Sequence, residues 1–265
     1  MSAIDDFTSS VRIILISQLY SWKSLAIYRV QFIFQIFYSA IGPVVTYFFI
    51  SVIYTVTKGL PGWSFYQLLF LSSLVGVVSP AVSYLATPAG ILRSLRNGLL
   101  DTFLIRPYGA FTALMANYGD ATGALNAIDS SILTIYAASH LPLALPNIAM
   151  FLIMTFVGIF LLATFSIMLV TFAYRIFRSG GSFQGILNTI FNYGQYPINI
   201  YGLTFTLVLM LIVPIGFATY VPAELIFGNI SACAFAALFA VALGLIWVFY
   251  KVINLRLRGY TSAMG

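Results

Sequence analysis

Asp120 and Asp129 are the residues whose type and setting come closest to working chemistry, because each puts a carboxylate into an otherwise apolar stretch. An aspartate at bilayer depth costs several kcal/mol, roughly 2.5 to 3.5 on insertion scales, so such a residue marks either an ion path or a satisfied contact between helices. The two stand nine residues apart, on opposite faces of a helix, and do not converge on one ion site. Each has an asparagine three positions earlier, Asn117 and Asn126, placed to share its hydrogen bonds. Polar contacts between helices are therefore the favoured role of Asn117, Asp120, Asn126 and Asp129.

The remaining inventory is thin. His140 is the only histidine and stands beside prolines, so it reads as a solvated loop residue rather than a ligand or proton relay. Cys233 is the only cysteine, which excludes an intrachain disulfide and a cysteine-based metal site. A nucleophile with its base, paired aspartates on facing helices and histidine metal ligands are all missing, so no catalytic, metal or cofactor site is expected. No GxxxxGK[ST] loop occurs either, and energy for any active process must come from a partner or a gradient.

Composition shows where these residues have to work. The chain is 61% hydrophobic and 7% charged, with a mean hydropathy of +1.01, against roughly 25% charged residues in a soluble domain. Six apolar stretches run approximately 30–57, 64–91, 109–139, 147–174, 200–220 and 231–254. Each can cross a hydrocarbon core that needs about 20 helical residues, and all must be helical because the backbone finds no water there. An all-α, polytopic membrane protein with six transmembrane helices follows. The formal charge of +6 does not indicate nucleic acid, since the cations lie in short clusters at span ends rather than on one face.

Those clusters set the orientation. Arg12, Lys23, Arg29, Arg93, Arg96, Arg106, Arg175, Arg178, Lys251, Arg256 and Arg258 fall on one side of a six-span chain, and only Lys58 on the other. Cations near span ends are retained in the cytoplasm, so both termini are expected there. The third stretch carries the polar residues named above, with Ser130 and Ser131; if it did not cross, the cations would divide evenly and no orientation signal would remain. Gly119, Gly123 and Ala127 repeat at every fourth position and let another helix approach closely, so this span should face protein.

Residues 1–29 form a separate piece ahead of a permease-sized unit, 30–265. Phe7, Val11, Ile14, Leu15, Leu19 and Trp22 recur at helical spacing, with Ser9, Arg12 and Lys23 roughly opposite. A helix lying in the cytoplasmic interface is favoured over an ordinary span leader. No short apolar core with a small-residue cleavage site precedes it, so no removable signal peptide is expected.

Two loops stand out. In Arg93–Pro107, Leu95, Leu99 and Leu100 alternate with Arg96, Asn97 and Asp101 at helical spacing, and Pro107 closes the run. A short docking helix and a set of charges that merely anchor span ends explain this pattern equally well. Around Thr219–Ile230, Pro214 and Pro222 break the helix while Val221, Leu225, Ile226 and Phe227 stay apolar about Glu224. That segment either dips back into the outer leaflet or makes an exposed turn. Asn229-Ile230-Ser231 matches a glycosylation pattern, a weak signal against a span. A second cytoplasmic surface helix is expected where Phe183, Ile186, Leu187 and Ile190 share a face before Pro197.

Three blocks, NGLLDTFLIRP at Asn97–Pro107, YPINIYG with IVPIGFATYVPAELIFG across Tyr196–Gly228, and the terminal LRGYTSAMG, occur in order along the chain. In that order the chain resembles the permease subunits of ATP-binding-cassette type 2 transporters, over its whole length. Met264 departs from the family's glycine after Ala263. The resemblance implies the membrane half of an exporter in a prokaryotic inner membrane, paired with a second permease copy or a paralogue and with a cytoplasmic ATPase dimer that holds ATP and Mg. It implies that the loop after the second span is a coupling helix, a role falling on Arg96, Asp101 and Arg106. It also implies that the stretch with Pro222 and Glu224 is a re-entrant outer gate. The competing readings are a gradient-driven carrier, which should bury more ionisable residues than this chain does, and a non-transporting membrane scaffold.

Overall fold

A computed structural model describes residues 3–57, 59–85, 87–97, 116, 121–174 and 180–258. Among them every regular element is helical. They are α1 (Ala3–Ile27), α2 (Arg29–Thr57), α3 (Phe65–Leu85), α4 (Pro88–Arg96), α5 (Ala121–Ala138), α6 (Leu145–Ala173) and α7 (Gly180–Tyr193). A 3-10 turn at Ile198–Tyr201 then leads to α8 (Leu203–Leu207), a π turn (Val208–Ile212), α9 (Ile215–Ala218), α10 (Tyr220–Ile226) and α11 (Ala232–Arg258).

Four runs among the described residues are long and apolar enough to cross a membrane: Phe32–Thr57, Phe65–Arg96, Leu145–Ala173 and Ala232–Leu257. A fifth crossing is available if Leu203–Ile212 and Ile215–Ile226, bent by 74°, form one span. The chain is thus a multi-pass, all-α membrane protein. The remaining expected span begins in residues outside the described set; its described part, α5, is 18 residues long and contains Asn126, Asp129, Ser130 and Ser131.

α3 and α6 form the centre. About half of each is buried, whereas α2 and α11 are largely exposed. On α6 the buried residues Met154, Gly158, Leu161, Leu162 and Phe165 recur at helical spacing and make one inward face. α5 packs most extensively on α3 and also meets α2, while α11, α9 and α10 all pack on α6. Gly123 allows the tight α3–α5 approach: a Cβ there would lie 2.6 Å from the Pro80 carbonyl oxygen. Gly119 of the small-residue stripe lies outside the described residues.

Three details differ from the sequence expectations, and a fourth, on α1, adds a contact. The second stretch does not run unbroken to Ile91: α3 ends at Leu85 and α4 begins at Pro88, because a proline holds the preceding Thr87 in extended backbone (φ −77°, ψ 104°). The fifth stretch is not a straight span to Tyr220, since the chain turns at Val213 and Pro214. On α7 the buried stripe is Phe183, Leu187 and Phe191, with Ile186 43% exposed. On α1, Leu15 and Leu19 are exposed while Gln18 is buried and donates from Nε2 to the Tyr84 carbonyl at 3.1 Å. That bond pins α1 to the end of α3.

Candidate functional site: a polar seam and a bent segment

A ladder of polar contacts joins α2, α5 and α3. Gln35 Nε2 donates to Asn126 Oδ1 at 3.0 Å, and the Ser39 hydroxyl donates to Asp129 Oδ2. Gln35 and Ser39 are one turn apart on α2, and Asn126 and Asp129 one turn apart on α5, so the two pairs stack as rungs. The expected sharing of bonds between Asn126 and Asp129 along one helix gives way to partners on another. On the opposite side of α5, Thr134 Oγ1 donates to Ser73 Oγ at 3.0 Å. A Cβ at Gly76 would lie 2.6 Å from Ser130 Oγ, so α5 comes close to α3 where that serine crosses it. Asn117 and Asp120 fall outside the described residues.

Interhelical hydrogen bonds in membranes average about 0.6 kcal/mol and reach about 1.7. Ser39→Ala should therefore lower stability by about 1 kcal/mol, because the Asp129 oxygen loses its only donor among the described residues. Unfolding in mixed micelles, with an Asp129→Asn partner to complete a double-mutant cycle, measures it. A coupling energy of zero would show that the two side chains do not interact.

Above this seam a groove of about 430 Å³ opens between α2 and α5, with Tyr47, Phe48 and Tyr136 among its walls and Asp129 as its charged residue. Tyr47 and Tyr136 meet edge to face with centroids 6.4 Å apart. At the end of α5 the exposed His140 stacks on Tyr66 at 4.1 Å, and its Nδ1 lies 3.0 Å from the Tyr136 carbonyl oxygen. The histidine thus caps a helix end and ties it to α3.

The bent segment is built differently. Pro214 (φ −45°, ψ 38°) has no N–H to extend the preceding turn, and the π turn before it already carries an extra residue per turn. The chain swings into α9, which lies directly on α6 at Gly158. Thr219 is fully buried and returns its hydroxyl to the Ile215 carbonyl at 3.1 Å. Pro222, expected to break the helix, instead occupies the first turn of α10, where a missing N–H leaves no intrahelical bond unmade. Glu224 Oε2 accepts from Asn229 Nδ2 at 2.6 Å, which engages the amide of the glycosylation motif. Trp63 packs at 5.9 Å from Phe227, and Phe227 at 5.7 Å from Phe70, fastening the end of α10 to α3 and the loop before it.

Arg93 and Arg96 are exposed in the last turn of α4, while Ile91, Leu92 and Leu95 are buried. Leu95 packs inside, because α4 lies on α6 and α7. Asp101 and Arg106 fall outside the described residues. Sequence reasoning did not identify Gln35 and Ser39, although their one-turn spacing inside an apolar run was a readable signal. It also left out the Tyr47, Phe48 and Tyr136 walls, which only the pairing of α2 with α5 brings together.

Among the described residues no group of three or more His, Cys, Asp or Glu could hold a metal ion. Among the described residues, the polar side chains of the seam join helices. No curated protein and no solved structure matches the chain. A family model does match, over residues 40–264, from within α2 past the end of α11, and it is described as ABC-2 family transporter protein. Helices long and apolar enough to cross a bilayer and a family match over most of the chain agree: this is a membrane transporter protein, a member of the ABC-2 transporter family.

Proposed function

We propose that the chain is the permease subunit of an ATP-driven exporter, with six spans and both termini in the cytoplasm of a prokaryotic cell. Family membership over residues 40–264 carries this reading. The chain pairs with a second permease, identical or paralogous, and with a cytoplasmic ATPase dimer that binds ATP and Mg. The loop after the second span serves as the coupling helix, with Arg96 at the end of α4 and Asp101 and Arg106 beyond it as its charged contacts. α4 suits this as a lever, since its buried leucines transmit displacement into α6 and α7 while its arginines stay at the surface. α9 and α10, with Pro222 and Glu224, act as the outer gate, and α1 lies along the cytoplasmic interface. Asn126 and Asp129, with Asn117 and Asp120, hold the third span to its neighbours.

The test is co-purification followed by transport. A soluble ATPase should come out with the tagged chain, and export from inverted vesicles should need ATP and survive an uncoupler. Export that persists after ATP depletion and collapses with the uncoupler would instead establish a gradient-driven carrier.

A further inference from the structure

We propose that α7 reaches into the bilayer inside the protein and that its exposed face lines a water-filled path for cargo without net charge. This rests on the permease reading and adds to it a wall and a cargo class. The sequence suggests a surface helix here, but the contacts of α7 carry it inward. It packs on α4, and just past its end the Ser72 hydroxyl donates to the Gln195 carbonyl at 2.8 Å. Ser72 lies about 10 Å from the Phe65 end of α3 and about 20 Å from its Leu85 end, beside which α4 begins. A Cβ at Gly194 would lie 2.8 Å from Ile215 Cγ1 of α9, and α9 rests on Gly158, halfway along α6. With 14 residues α7 rises about 20 Å. It therefore extends well into a hydrocarbon layer about 30 Å thick.

What α7 turns outward at that depth is polar. Asn188, Thr189 and Asn192 are exposed, where exposed positions on α2 and α11 carry mostly Phe, Ile, Val and Leu. Gln184, Asn188, Asn192 and Gln195 follow at one-turn spacing, with Gln184 Nε2 donating to Asn188 Oδ1 at 3.1 Å and Gln195 Nε2 to Asn192 Oδ1 at 3.2 Å. A primary amide has two donors and two acceptor lone pairs, so the capacity of this ladder exceeds those two bonds. Hydrocarbon cannot meet the remainder, whereas water can. The chain then leaves α-helical geometry from Gly194 to Gly202, and such backbone at membrane depth occurs only within protein or beside water. No charged residue and no histidine lies between Arg178 and Glu224, so the wall offers no counter-charge to an ion stripped of its water. Tyr193, Tyr201 and Phe205, with centroids 5.6 to 5.9 Å apart, add ring surface where the ladder ends. Amides, hydroxyls and rings without charge suit a neutral cargo that forms many hydrogen bonds.

The experiment is thiol labelling of the purified full chain, with whatever subunits accompany it, in lipid nanodiscs with and without ATP. On a Cys233→Ser background, Asn188→Cys, Thr189→Cys and Asn192→Cys report the wall, while Phe156→Cys on α6 and Leu243→Cys on α11 replace exposed apolar side chains for comparison. The probes are the anionic sulfonatoethyl and the cationic trimethylammonioethyl methanethiosulfonates, each rate divided by that with free 2-mercaptoethanol. Wall positions should react at least ~10-fold faster than the comparison pair in one nucleotide state or both, because a thiol in apolar surroundings ionises poorly. At Asn192→Cys the two normalised rates should agree within ~5-fold, since a wall without fixed charge favours neither sign. If Asn192→Cys does not assemble, Asn188→Cys and Thr189→Cys supply both readings. Wall rates below the first margin in both states would put α7 against lipid or a second protein surface and overturn the path. A larger preference for one sign would overturn the neutral wall. No transport is measured, so a failure here leaves the exporter reading intact, and a failure of ATP-linked export leaves the labelling pattern intact.

Discussion

Gly158→Val should leave little or no folded protein in the membrane. A Cβ at this position would lie 2.5 Å from Ala218 Cα and 2.7 Å from the Phe217 carbonyl oxygen, distances that real Cβ contacts do not reach. The obstacles are backbone atoms of α9, so no side-chain rotation relieves them. Overpacking a core typically costs 1 to 3 kcal/mol where side chains can yield, and against fixed backbone more than about 3 kcal/mol is expected. α9 would have to lift off α6, taking the buried residues Ile215, Phe217 and Ala218 with it. Fluorescence-detected size-exclusion chromatography and thermal melting of the solubilised protein measure the outcome. Gly244→Val is the control, because nothing lies within 4 Å of a Cβ there. A Gly158→Val protein as monodisperse and stable as that control would show that α9 does not rest on α6 in the membrane.

Asp101→Arg and Arg106→Glu should each abolish ATP-linked transport while the protein still inserts and purifies. Both residues lie outside those the structure describes, and their assignment to the ATPase contact is part of the proposed function. Reversing one member of a hydrogen-bonded charge pair at an interface both removes an attraction and creates a repulsion; losing one partner alone costs about 2 to 5 kcal/mol. Transport is accordingly expected to fall more than about 30-fold, the ratio that 2 kcal/mol represents. Basal ATP hydrolysis by the partner should persist without stimulation by cargo. Full stimulated hydrolysis and full export in both variants would remove Asp101 and Arg106 from the coupling contact.

The spans that could be read from the sequence are those with an uninterrupted apolar run. α2, α6 and α11 lie within a few residues of their expected limits, because hydropathy over such a run exceeds any local preference. The break at Pro88 was equally present in the sequence, but it was absorbed into a stretch whose average stays apolar. Pro214 was recognised as a breaker, yet the size of the turn was not legible: the 74° bend depends on an open site at Gly158 in another helix. The seam shows the same limit. Asn126 and Asp129 were singled out from their cost in a bilayer, while their partners Gln35 and Ser39 became identifiable only once α2 lay against α5. Charge placement led to a six-span topology, and the third span is the part of that reading for which the described residues supply only α5.

The kink at Val213 and Pro214 also bears on the surrounding lipid. Set along the bilayer normal, Leu203–Ile212 would rise about 15 Å, at 1.5 Å per residue. Ile215–Ile226, tilted by 74° from it, would add only about 5 Å more. The resulting column of about 20 Å stands short of a hydrocarbon layer about 30 Å thick, next to neighbours of 26 and 29 residues that overreach it. Acyl chains cannot stretch to cover both heights at once, so headgroups should sag toward this flank and thin the bilayer there. A molecule passing beside that flank would meet a shallower sheet of oil than it would beside the longer helices.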